Sequence, residues 1–148
     1  DEHGKALSFE ASNTVLKGKC ITDMEEDVDG NLYFSVYEFD RKDKKQVNND
    51  EGLIVRAANG SMRQLTTTNS GLPFNGITDL LYDVREQVLW IATDRAGLVR
   101  YDLKGGIWED YHNENSKLPT SYISALAMDA KGVLYVATRQ GLVRLEKR

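Results

Sequence analysis

The 148-residue sequence predicts an all-β fold built from four-stranded propeller blades, on three observations. The first is a repeat. Asn13-Thr14-Val15-Leu16, Asn69-Ser70-Gly71-Leu72 and Asn115-Ser116-Lys117-Leu118 each end five residues before an isoleucine (Ile21, Ile77, Ile123). The second is a fixed order of marks after each isoleucine. An aspartate (Asp27, Asp83, Asp129) precedes a Leu-aromatic pair (Leu32-Tyr33, Leu89-Trp90, Leu134-Tyr135), and a Gly-Leu pair comes after it (Gly52-Leu53, Gly97-Leu98, Gly141-Leu142). The third is patterning. Between these marks lie short apolar or alternating runs bounded by Gly, Asn and Asp, as buried antiparallel strands require. Self-similarity at about 45 residues signals solenoids, propellers or arrays, and one four-stranded blade fits that length.

Each unit divides into strands a to d. Strand a is expected at residues 21–26, 77–82 and 123–128. A tight turn comes next, with Asp29-Gly30 in the first copy and Lys131-Gly132 in the third; glycine there takes a positive φ at no steric cost. Glu86-Gln87 stands in its place in the second copy, so a looser turn is expected. Strand b is expected at 32–37, 89–93 and 134–138, strand c at 53–57, 98–102 and 142–146, and strand d at 62–66 and 108–112. Phe9 precedes Asn13 by four residues, as Leu65 precedes Asn69 and Tyr111 precedes Asn115. Residues 6–10 therefore read as a further d strand. One domain, 1–148, is expected: the strand at 6–10, a blade at 20–66 with an insertion at 38–51, a blade at 77–112, and a blade at 123–147 without its own outer strand.

Composition narrows the function. Net charge is −4 and the Lys and Arg residues are scattered, which argues against a nucleic-acid partner. No apolar run approaches the roughly 18–20 residues that span a bilayer. Asp1-Glu2-His3-Gly4 reads either as the mature end left by signal cleavage or as a plain start. Cys20, the single cysteine, reads as a buried structural thiol. No catalytic residue, metal site or cofactor is expected. His3 and His112 have no ligand spacing with one another, no nucleophile elbow or phosphate loop occurs, and Glu25-Glu26-Asp27-Asp29 reads as a solvated hairpin end.

The repeat resembles the two-component regulator propeller repeat. The nearest copy is Asn69-Ser70-Gly71-Leu72-Pro73, then Ile77-Thr78-Asp79-Leu80, Leu89-Trp90-Ile91-Ala92-Thr93 and Gly97-Leu98-Val99-Arg100-Tyr101. The third copy keeps Leu134-Tyr135-Val136-Ala137-Thr138 and Gly141-Leu142-Val143-Arg144, whereas the first departs with Leu32-Tyr33-Phe34-Ser35-Val36 and the insertion. The resemblance implies the blade fold and a periplasmic or extracellular sensing role. The sensors of that family carry more repeats, a membrane span and a kinase.

Propellers close with about four to eight blades, so three would leave two sheet faces open. The expected solution is a half propeller completed by a homodimer of six blades, with residues 6–10 of one chain closing the last blade of the other. The alternative is a piece of a longer propeller. Strand alternation puts the d–a and b–c loops at one end, where a ligand would sit at the channel mouth. The candidate ligand-binding residues there are Tyr37, Phe39 and Arg41 at the insertion, Phe74 and Asn75, Asp94 and Arg95, Tyr122, and Arg139. Thr22 or Asp23, Thr78 or Asp79, and Ser124 are read either as channel-lining groups or as caps of the inner strand. Trp90 and Trp108 read as packing residues. The functional readings are a non-catalytic module binding a carbohydrate or other small polar ligand, or a protein interaction scaffold.

Overall fold

The computed structural model describes residues 14–40, 42–43, 45–48 and 50–146. Among them are twelve strands and no helix, hence none able to cross a membrane. The outer strand expected at 6–10 lies outside the described residues.

The strands form three antiparallel sheets. Sheet I holds β1 (Lys19–Glu26), β2 (Leu32–Asp40), β4 (Leu53–Arg56) and β5 (Met62–Leu65), with β3 (Lys45–Asn48) paired to the far end of β2. Sheet II orders β6 (Ile77–Asp83), β7 (Val88–Thr93), β8 (Leu98–Asp102) and β9 (Ile107–Tyr111). Sheet III is β10 (Ile123–Met128), β11 (Leu134–Thr138) and β12 (Gly141–Leu145). These follow the expected a to d order. The insertion extends β2 to Asp40 and folds back through β3, so the first b–c connection is a hairpin arm.

Local chemistry explains the repeat marks. Asn69 Oδ1 accepts the Thr66 amide at 2.7 Å and its Nδ2 donates to Gln64 O at 2.9 Å. Asn115 does the same for His112 and Asp110 at 2.8 and 2.9 Å. The asparagine thus pins each d–a turn to the strand before it, and Leu72 and Leu118 are driven inward. Asp27, Asp83 and Asp129 accept amides of their own turns, those of Asp29, Arg85 and Lys131 at 2.9, 3.0 and 2.9 Å, forming Asx turns. The second turn is one residue longer than the other two. Gln87 itself adopts φ 55°, the left-handed conformation that Gly30 and Gly132 supply elsewhere.

Alternation along each strand sends side chains to two neighbours. Tyr33, Leu53 and Val55 from sheet I meet Leu80, Leu89, Ile91 and Val99 from sheet II in one core. Ala92 and Leu98 meet Leu118, Ile123, Leu134 and Val136 in a second, between sheets II and III. Trp108 packs on the first and Trp90 on the second, as expected of packing residues.

The innermost strands carry a β-bulge at the same place. Pairing slips between Ile21 and Asp23, Ile77 and Asp79, and Ile123 and Ala125. The bulge turns the next side chain toward the neighbouring sheet. Asp23 Oδ2 accepts the Leu80 amide at 2.8 Å and Asp79 Oδ2 accepts the Leu126 amide at 2.6 Å. Each sheet clasps its successor by a carboxylate on the successor's inner-strand backbone. Sheet III has Ala125 at that position.

Candidate functional site

Loop stitching puts the d–a and b–c connections at one end, as strand alternation requires. Gly52 donates to Asn75 O at 2.8 Å, Asp94 to Gly76 O at 2.9 Å, Gly97 to Ser121 O at 2.8 Å and Arg139 to Tyr122 O at 3.2 Å. These bonds hold the loops from three sheets around a recess of 450 Å³. Its floor is the bulge region of the inner strands, with Thr22, Thr78 and Ser124 beside Ile77 and Ile123; Tyr37, Asp94, Tyr122 and Arg139 rise around it.

Four of the candidate residues therefore converge. The Arg139 guanidinium lies 4.2 Å from the centroid of the Tyr122 ring and 3.7 Å from Asp94 Oδ1. The ring and the carboxylate hold a cation that is otherwise exposed, each contact being modest at a solvated position. Asp94 also meets Arg95 at 3.2 Å, so one carboxylate serves two guanidinium groups. Tyr37 stands beside Cys20, whose thiol, by hydrogen bonding, raises the phenol's pKa above its ordinary value. Cys20 itself is only partly buried, against the expectation of a core thiol.

The other candidates divide. Arg95 lies over the Phe74 ring at 5.1 Å and lines an adjoining recess of 520 Å³ with Pro73, Ser121 and Tyr122. Asn75 is a turn residue. Its Oδ1 accepts the Thr67 amide at 2.9 Å and its carbonyl accepts that of Gly52. Phe39 has its backbone in β2 while its side chain lies outside the described residues, and so does Arg41 as a whole.

The bulge hydroxyls face both ways. Thr22 donates to Ser35 O at 3.2 Å, Thr78 to Ile123 O at 2.8 Å and Ser124 to Ala137 O at 3.2 Å, while all three line the recess. A hydroxyl that donates inward keeps lone pairs for a ligand donor. Val36, Ile77 and Ile123 give the floor apolar area that was not anticipated; only the bulge, invisible to strict alternation, aims them there. The site thus offers a guanidinium, a carboxylate, two phenols and three hydroxyls over an apolar base. That set presents donors and acceptors side by side.

No family model matches the chain, and no curated protein is found similar to it. Solved structures are similar in fold. The extracellular domain of the putative hybrid two-component system BT3049 from B. thetaiotaomicron is 16% identical, with TM-score 0.58 over 94% of this chain and 23% of that one. PorZ, a surface component of the type-IX secretion system of Porphyromonas gingivalis, is 19% identical, with TM-score 0.59 over 82% and 17%. Virginiamycin B lyase from Staphylococcus aureus is 12% identical, with TM-score 0.54 over 84% and 40%. The chain thus spans less than a quarter of the first two. At these identities the likeness speaks for the fold alone. That fold is the propeller-type blade architecture of the extracellular sensor domains of hybrid two-component systems, as the repeat resemblance implied.

Proposed function

We propose that this chain is a non-catalytic binding or sensing module of the two-component regulator propeller type, acting in the periplasm or outside the cell. Its ligand is a carbohydrate or similar polyol at the channel mouth. One observation carries this reading: Tyr37, Asp94, Tyr122 and Arg139, from three different sheets, meet the three bulge hydroxyls at one recess. The place of the B. thetaiotaomicron domain in a two-component system agrees with it. The test is a thermal-shift and glycan screen on the full chain, followed by Tyr122→Ala and Arg139→Ala. A hit weakened on the order of tenfold by either variant supports the reading. No response to any sugar class, or a hit indifferent to both variants, refutes it.

We also infer that a further strand docks beside β12, through residues 6–10 of a second copy, so that two half rings close. Three features support this. Gly52 and Gly97 have φ 74° and 85°, and a Cβ there would stand 2.3 and 2.1 Å from the carbonyl oxygens of Leu65 and Tyr111. Gly141 keeps the positive φ, at 118°. A groove of 700 Å³ lined by Trp90, Tyr111, Leu118, Val143 and Leu145 runs alongside. Sedimentation would report twice 16.7 kDa, and removing residues 1–10 would abolish it. A folded monomer at micromolar concentration refutes it.

A further inference from the structure

A second recess, of 370 Å³, opens at the opposite end of the molecule, between sheets I and II. It is framed by the a–b and c–d turns, away from the channel mouth. Its walls are the rings of Tyr33, Tyr82 and Tyr101 with Val55 and Leu103. Two of these rings are fixed. The Tyr33 hydroxyl donates to Asp27 Oδ2 at 2.8 Å, and Tyr101 stacks on Trp108 with centroids 3.8 Å apart. Rings already held in place need little further ordering to receive a ligand.

Arg63 and Lys104 stand at the rim, both exposed. Among the described residues neither has a carboxylate within ion-pair distance. Asp27 and Asp29 line the same recess, yet neither lies within ion-pair distance of the two cations. Asp27 already uses both oxygens on the amides of Asp29 and Asn31, the Asn31 side chain and Tyr33. Asp29 sits exposed on its turn.

The matching cleft between sheets II and III is an internal control. There Trp90 replaces Tyr33, and the recess shrinks to 180 Å³. The cross-strand pair Val55 and Arg63 becomes Arg100 and Glu109. Arg100 is neutralised, 3.1 Å from Glu109 and 3.6 Å from Glu86. The same place in the repeat is filled, with its arginine paired, in one cleft and open, with two cations that no carboxylate among the described residues meets, in the other.

We propose that the cleft between sheets I and II is a second binding site, for a small ring-bearing carboxylate. The ring lies against Tyr82 and Tyr101, and the carboxylate meets Arg63 and Lys104, since charge-assisted bonds to a carboxylate are the strong ones available here. Titration calorimetry on the full chain, with glucuronate, 4-hydroxybenzoate and glucose, tests it. At least one carboxylate binds, and which one does separates an acidic sugar from an arene. Glucose binds on the order of tenfold more weakly or not at all. Arg63→Ala and Lys104→Ala, at exposed positions, each weaken binding by about tenfold, and Lys131→Ala, which removes the same charge from the sheet III turn, does not. Amide shifts in NMR spectra centre on Ser61, Gln87 and Lys104. The proposal falls if neither carboxylate binds at millimolar concentration, if glucose binds equally well, or if affinity survives loss of both cations.

Discussion

Sheets II and III have nearly the same sequence marks and very different surroundings. Leu98 opens the third strand of sheet II and is 0% exposed, packed into the core shared with sheet III. Leu142 holds the matching place in sheet III and is 71% exposed. Gly97 is pressed against the outer strand of its own sheet, while a Cβ on Gly141 would meet no atom within 4 Å. The repeat therefore writes the same residues whether or not a neighbour is there to use them. A blade position acquires its energetic weight from the next layer, not from its own sheet.

Mutations at paired positions break this comparison most directly. Leu98→Ala should cost about 3 kcal/mol, because it removes a fully buried side chain and leaves a cavity. Leu142→Ala should stay within about 0.5 kcal/mol for a chain on its own and approach the Leu98 loss where two half rings close over sheet III. Urea denaturation of both variants, at low and high protein concentration, checks the contrast. A Leu142 loss that stays small at every concentration would count against closure.

The glycines come next. Gly97→Ala combines a positive φ with a clash on a backbone carbonyl and should cost more than about 2 kcal/mol. With the proposed outer strand seated on β12, Gly141→Ala meets the same kind of clash and should cost about as much. A Gly141→Ala loss of only about 1 kcal/mol, the conformational strain alone, read in thermal melts, would count against that strand.

The smallest effect concerns the clasp. Burial pushes the Asp79 carboxyl up to about 6, the nearby Asp23 adds to the rise, and the Leu126 amide opposes it. Glu25 is raised as well, by burial and then by the Asp23 and Asp79 charges, against the pull of the Tyr82 amide. A folded-state pKa above the unfolded value means that the native chain binds the proton more tightly. The resulting stability is complete below the ordinary value of 3.8 and is lost as pH rises through about 6. Asp79→Asn keeps a carbonyl acceptor for Leu126 and should flatten that part of the stability–pH curve. Denaturation midpoints measured across that pH range decide it, and an unchanged slope would rule out Asp79 as the source.

Most of the strand plan was legible because Asn turns, Asx turns and Gly-Leu pairs fix local geometry with short-range bonds that sequence can display. Tyr37, Asp94, Tyr122 and Arg139 were legible for a related reason: topology alone sends b–c and d–a loops to one end. Asn75 misleads, since an exposed asparagine in a turn looks the same whether its amide waits for a ligand or accepts the Thr67 backbone. The strand bounds of the hairpin arm were not legible, because the polar stretch from Glu38 to Asp50 lacks the apolar alternation that marks strands facing a core. The cleft between sheets I and II was hidden as well. Its openness depends on Tyr33 standing where a tryptophan stands in sheet II, and its charge on Arg63 facing Val55 instead of a partner acid. Both are differences across layers, which no single strand reveals.

The bulge aspartates give the stack a direction. Sheet I grips sheet II, and sheet II grips sheet III, through an acid that accepts the backbone amide of the next inner strand. With Ala125 and Ala127 on β10, any unit set against the far side of sheet III meets a junction without that grip. Such a joint lacks the carboxylate whose titration couples sheets II and III to pH. The Asp79 joint gains stability as protons arrive. Mild acid would therefore leave the outer seam as it is while firming the junction between sheets II and III.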